Sequence, residues 1–456
     1  MSAQVDRPVR RPLHGRLVML FPFGRQLAAV RHRIWLLPVT ALPCVSSEVW
    51  KLCLVTALLN ASYLSMMGLL KVLFVLRLGY DAGYVGSLFA AGSLSFALCT
   101  MSAGFLGAWI GPRRAMIGGV VLVAASMALL PFTEFVSPPL RPLWPLLVQV
   151  VSSAGWSVYM VNLVPALVAF SDDANRREVY SLKEASAGLG MFLGAIVGGL
   201  LPALFAGLFD LGLDGPAPYR YGLIVAVAVA FLGLAPLLRL AHVPSAPRTA
   251  SARASWRSLR PLVPLVAAAL LNHAAVASAR VFYPAYLDRV FALPSTLIGL
   301  ITSIGTLLAV AGSLSGPRLV ARRGNSFGMM FASLGLTGSL LLMGLFGHWL
   351  AAGAGAIGML ALVGVWTPAY QVLQMELAEP AQRSLVAGVG WLGMSTGFTL
   401  MSFGGGQIVT ALGYRPVFLL GATLSATSAV LMWRLSQRSR STILTATQIS
   451  ETGGTE

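Results

Sequence analysis

Lys71 and Arg280 each interrupt a long apolar segment, a few residues past its centre. A cation at the middle of a membrane helix costs roughly 2.5–3.5 kcal/mol on insertion scales. Two that face one water-filled space make a clamp for an anion; two that stretch outward along their stems serve lipid headgroups instead. Lys71 follows Asn60 by eleven residues and Arg280 follows His273 by seven, so each pair shares a helical stripe. Histidine is the side chain that can titrate near neutral pH, so His273 is a candidate to carry a proton, the alternative being a neutral, hydrogen-bonded ring. Glu184 is a carboxylate inside an apolar run, with Glu376 at the edge of another. It either pairs with Lys183 or Arg177 or serves, like His273, as a proton carrier.

Other chemistries lack their residues. No G-x-x-x-x-G-K-[ST] occurs, and the lysines are Lys51, Lys71 and Lys183, so ATP hydrolysis is not expected and an ion or solute gradient must supply the driving force. Gly393-Met394-Ser395-Thr396-Gly397 fits the nucleophile pattern G-x-S-x-G, which requires a strand before it and a helix after it. Here it lies within an apolar, glycine-rich segment, so no catalytic residue is expected. Cys44, Cys53 and Cys99 form neither a paired framework nor a metal-ligand spacing, and read as small buried hydrophobes. No metal and no cofactor are expected.

The elements that position these residues are membrane spans. Of 456 residues, 57% are hydrophobic and only 10% charged, and the mean hydropathy is +0.78. The net charge of +17 could suggest nucleic acid, but the charges sit in short gaps between apolar runs. Each run is long enough to cross a ~30 Å hydrocarbon core. Twelve spans can be marked: 52–77, 83–108, 115–134, 143–169, 180–207, 220–239, 261–287, 295–317, 327–347, 351–375, 384–410 and 416–434. They divide the chain into a basic tail (1–51), a six-helix bundle (52–240), a linker (241–260), a second bundle (261–434) and a second tail (435–456). Of the 32 basic residues, 25 fall on the side of the two termini. The positive-inside rule then makes both termini cytoplasmic, in the plasma or inner membrane of the cell.

The two halves are copies. ALLN at Ala57–Asn60 recurs at Ala269–Asn272, an offset of 212, and nearly the same offset pairs Arg77 with Arg289, Gly92 with Gly305, Leu106 with Leu319 and Gly111 with Gly324. A repeat of this length points to a duplicated membrane domain with a binding seam between its halves. Polar residues recur on every third span. The first carries Asn60 and Lys71, the fourth Gln149, Trp156, Tyr159 and Asn162, the seventh Asn272, His273 and Arg280, and the tenth Trp366, Tyr370, Gln371 and Gln374. Polar side chains are costly against lipid, so these spans should line a cavity, with Trp391 of the eleventh beside them.

Six plus six helices, inward termini and a basic central linker resemble the major facilitator superfamily. The loop after the second span, GFLGAWIGPRR, is similar to the family's G-x-L-a-D-r-x-G-r-k through Gly104, Leu106, Gly111, Arg113 and Arg114. A weaker copy, PRLVARRG, keeps Leu319, Arg322 and Gly324. The acidic position that helps latch the family's cytoplasmic gate is Ala108 in one copy and Ala321 in the other, so the latch must be built differently. GMFLGAIVGG in the fifth span resembles the antiporter signature through Gly190, Gly194, Gly198 and Gly199, with Ala195 replacing its proline; ordinary helix packing is the competing reading. The resemblance implies an all-α fold of twelve helices in two pseudo-symmetric bundles that alternates access to a central site, and points toward drug and metabolite efflux members. The expected partners are a small-molecule substrate, protons or a counter-solute, and membrane lipid, with no nucleic acid and the protein acting as a monomer. Proton-coupled export of a hydrophobic or amphipathic compound is the favoured function. Uptake or exchange of an organic anion, held by Lys71 and Arg280 as in the family's organophosphate antiporters, is the alternative; a receptor or membrane enzyme would need a soluble domain or a catalytic cluster.

Overall fold

In hydrocarbon the backbone must satisfy its own hydrogen bonds, and an apolar chain does so by forming helices. The computed structural model describes residues 45–172, 175–243, 262–320, 324–377 and 383–452, and these hold twelve helices long and apolar enough to span a membrane. The first bundle comprises α1 (Ser47–Arg77), α2 (Ala82–Ile110), α3 (Pro112–Phe135), α4 (Leu143–Ala169), α5 (Arg176–Phe209) and α6 (Ala217–Leu238). The second comprises α7 (Val263–Arg289), α8 (Ser295–Val320), α9 (Asn325–Leu345), α10 (Trp349–Glu376), α11 (Arg383–Leu412) and α12 (Tyr414–Thr452). An even number of spans puts the start of α1 and the end of α12 on one side, the terminal face, opposite a far face.

The repeat governs the packing. In each half the fourth helix packs on the second and third, and the first on the fifth: α4 on α2 and α3, α10 on α8 and α9, α1 on α5, α7 on α11. The bundles meet through α2 with α11, α5 with α8, and the far ends of α1 and α7. Between α2 and α3, Gly111 adopts φ 91°, and Gly324 adopts φ 86° at the matching turn before α9; only glycine takes this conformation without strain, which explains the paired motif glycines. Gly190 and Gly194 of α5 lie directly against the α1 backbone at Ala57 and Ala61, and Gly199 against Gly299 of α8. Side chains at these positions would push the helices apart.

Two helix limits differ from the sequence reading by five residues or more. The α1 helix begins at Ser47 rather than at residue 52, because Glu48 and Lys51 pair one turn apart at 2.7 Å and Glu48 also accepts the Ala241 backbone N–H. The α12 helix continues past residue 434 to Thr452, since no glycine or proline interrupts it. The Ser- and Arg-rich linker and Arg322 lie outside the described residues.

Candidate functional site

A cavity of about 290 Å³ lies between the bundles, and the repeat brings the two basic residues to it from opposite sides. Lys71 of α1 and Arg280 of α7 both line it, as does Trp156 of α4. Lys71 is buried (5% exposed) just beyond a π-helical stretch, Asn60–Met66, where the Asn60 side chain donates to the Thr56 carbonyl one turn back. Such stretches rotate the following residues relative to a regular helix and recur at functional sites. The Lys71 ammonium donates to Gln149 Oε1, and the Phe89 ring lies 4.6 Å from Nζ. Gln149 Nε2 donates to Ser153 Oγ at 2.9 Å, and Ser153 shares a hydrogen bond with Tyr63 Oη at 3.1 Å. Opposite, Tyr283 Oη and Thr302 Oγ1 are 2.7 Å apart, beside Arg280. Among the described residues no carboxylate lines this cavity, and Arg280 has no ion-pair partner.

The remaining sequence candidates are placed around this cavity rather than in its wall. Asn162 donates to the Ala103 carbonyl at 3.1 Å and ties α4 to α2; Asn272 accepts from Ser333 at 3.1 Å and ties α7 to α9. Tyr159 is fully buried against Thr56. Trp366 and Tyr370 stack at 4.9 Å in the core of the second bundle, where the indole N–H and the phenol oxygen find no partner among the described residues. His273 lies edge-on to Trp366 at 5.2 Å, with Nδ1 3.2 Å from the Ala269 carbonyl. Gln371 is exposed, whereas Gln374, one turn on, donates to the Val386 carbonyl. Trp391 packs on Phe96 across the bundle seam at 6.1 Å. The Glu184 side chain is 63% exposed and pairs with Lys183 at 2.7 Å. Sequence reasoning did not assign Tyr63, Phe89, Ser153 or Thr302 to the site, and marked Gln149 only as one polar residue of the fourth span. Single polar or aromatic residues in apolar runs carry no signal of which helix faces them.

The cavity is shut off on its far side. Arg77 and Asp288 form a bidentate ion pair at 2.6 and 2.7 Å, and Arg77 also reaches the Leu213 carbonyl and Tyr219 Oη. Arg289 donates to the Leu76 carbonyl, Thr410 to Asp81, and Ser295 to the Gly199 carbonyl. Near mid-membrane, Ser93 bonds to the Ser395 carbonyl and adds a further link between the bundles. Two motif arginines make no such crossing: Arg113 donates to the Leu238 carbonyl of its own bundle, and Arg114 is exposed beyond Gly104, Leu106 and Gly111.

A twelve-helix duplicated fold with a charged, two-sided cavity is transporter architecture, and the comparisons agree. No curated protein sequence matches the chain. Among solved structures it is similar to the nucleoside transporter NupG, at 16% identity and TM-score 0.65, covering 85% of this chain and 99% of that one. A POT family transporter in complex with 5-aminolevulinic acid matches at 13% identity and TM-score 0.68, over 86% and 96% of the two chains. A D-xylose–proton symporter matches at 15% and 0.67, over 84% and 96%. The family model of the Major Facilitator Superfamily matches residues 52–271 and 265–451, and the chain belongs to that superfamily of transporters rather than to any enzyme class.

Proposed function

We propose that this protein carries a small organic anion across the membrane by alternating access between its two bundles. One observation carries the reading: Lys71 and Arg280 face one cavity from opposite bundles, with no carboxylate among the described lining residues. Occluding two unpaired cations away from water is expensive, and a bound anion removes most of that cost. Arg280 offers a planar fork suited to a carboxylate or phosphate, and Lys71 a point charge. Trp156, Phe89, Phe96 and Phe398 line the rest, which favours an anion with an apolar body and joins this reading to the amphipathic solute anticipated from sequence. The similar solved structures are a nucleoside transporter, a POT family transporter in complex with 5-aminolevulinic acid and a D-xylose–proton symporter, so the fold leaves the solute open.

In proteoliposomes, Lys71→Gln and Arg280→Gln should each reduce transport of an anionic substrate roughly a hundredfold, since each removes one partner of a desolvated, charge-assisted contact. Unchanged transport in both, with normal membrane insertion, would retire the anion reading.

Coupling is assigned to a titratable residue, and the two candidates differ in setting. Glu184 is exposed and paired with Lys183, while His273 lies two turns from Arg280 on the same stripe of α7, about 10 Å along the helix. A carrier must gain and lose its proton as access alternates, so His273→Gln should abolish accumulation driven by a pH gradient yet preserve counterflow. Full gradient-driven accumulation in both His273→Gln and Glu184→Gln would instead favour exchange against a second solute.

A further inference from the structure

The buried amide of Gln149 has no packing reason to be polar. It sits under Gly92 of α2, where an added side-chain carbon would collide with its Nε2. In the second half Leu360 of α10 sits under Gly305 of α8, where an added carbon would meet Leu360 Cδ1 at 2.7 Å. The offsets of 211 and 213 make these the same place in the two copies, and both side chains line the cavity. The architecture therefore accepts leucine here, and leucine avoids the desolvation that a buried amide suffers. What distinguishes the first half is Lys71, whose ammonium donates to Gln149 Oε1 under the Phe89 ring. Gln149 is itself fixed through Nε2 to Ser153, and Ser153 to Tyr63. An amide oxygen accepts the ammonium without cancelling its charge, whereas a carboxylate in the same position would neutralise it.

We infer that Gln149 is a positioning and specificity-determining residue: it fixes Lys71 Nζ at the cavity wall and, by staying uncharged, keeps the site selective for anions over cations. This rests on the anion reading above, and the experiment separates the two.

Benzoate, phenyl phosphate and benzylamine serve as probes, titrated against the purified full-length protein in detergent by tryptophan fluorescence. Wild type should bind at least one of the two anions about tenfold or more tightly than benzylamine. Gln149→Leu, for which Leu360 is the steric precedent, should still unfold cooperatively, at a somewhat lower temperature because the buried ammonium loses its acceptor, and should lose roughly fivefold or more in anion affinity. Gln149→Glu should pair with Lys71 and shift the anion-to-cation ratio toward benzylamine by about tenfold. A general packing defect would weaken all probes alike and leave that ratio unmoved. If Gln149→Glu does not fold, Gln149→Leu decides alone. Wild-type anion affinity in Gln149→Leu, with an unmoved ratio in any folded Gln149→Glu, overturns this inference and leaves the anion reading standing. Wild type that binds neither anion, or binds benzylamine equally well, overturns both.

Discussion

Thr56 Oγ1 and Tyr159 Oη share a hydrogen bond of 2.9 Å in the first bundle. The repeat sets Ala268, the residue before the second ALLN, where Thr56 stands before the first. Tyr370, the counterpart of Tyr159 near the same offset, accordingly has a buried hydroxyl with no partner among the described residues. Removing a hydroxyl that is paired costs its bond, about 1 kcal/mol net, whereas removing an unpaired one relieves a desolvation cost. Tyr159→Phe should therefore lower the unfolding midpoint in detergent, and Tyr370→Phe should leave it unchanged or raise it. Equal losses in both would mean that Tyr370 has a partner such as an ordered water. The same comparison between copies singles out Lys71, whose counterpart at the offset of 212 is Tyr283: one bundle presents a cation where the other presents a phenol.

At the scale of elements, the ends of α1 and α7 cross-clasp. Arg77 and Arg289 are repeat equivalents, and each reaches the residue preceding the other: Arg77 to Asp288, Arg289 to the carbonyl of Leu76. The clasp is symmetric in geometry and asymmetric in chemistry, since only one arm is an ion pair. Asp288 is nearly buried, with its side chain 6% exposed, so its loss leaves a poorly solvated Arg77. Charge-assisted contacts contribute about 1.5–3 kcal/mol, enough to shift a two-state equilibrium by roughly tenfold or more. Asp288→Asn should therefore populate a state open to the far face. A cysteine introduced at Thr302, with Cys44, Cys53 and Cys99 replaced by serine, should then react several-fold faster with a membrane-impermeant thiol reagent applied from that side. An unchanged rate would show that the close contacts of α5 with α8, at Gly199 and Gly299, and of α2 with α11, at Gly86 and Gly406, hold the far face without the clasp.

For the whole molecule, orientation follows from where the basic residues lie. With 25 of 32 on the side of the termini, that side is proposed to face the cytoplasm. Reporter fusions after Glu456 and within residues 245–255 should report cytoplasm, and one near Pro138, in the turn before α4, should report the opposite compartment. A reversal at any of the three would contradict that orientation. The state described here, closed at the far face, would then be the inward-facing one, and the solute would enter or leave the Lys71–Arg280 cavity from the cytoplasmic side.

The amino-acid sequence by itself determined the spans, their number and the duplication. Hydrocarbon leaves a chain little choice: apolar runs of about twenty residues become helices, and an internal offset of 212 becomes a second copy of the same bundle. It also marked Lys71 and Arg280, because charge in such runs is rare. Which polar residues face a cavity was decided by tertiary packing. Asn60, Tyr159, Asn162 and Asn272 carry the same signal as Gln149, a polar group in an apolar helix, yet their polar atoms are satisfied within their own helix or at a neighbouring one. Gln149 instead holds Lys71 at the seam. The clasp was equally illegible: Arg77 and Asp288 are 211 residues apart, and only the meeting of two folded bundles makes them neighbours.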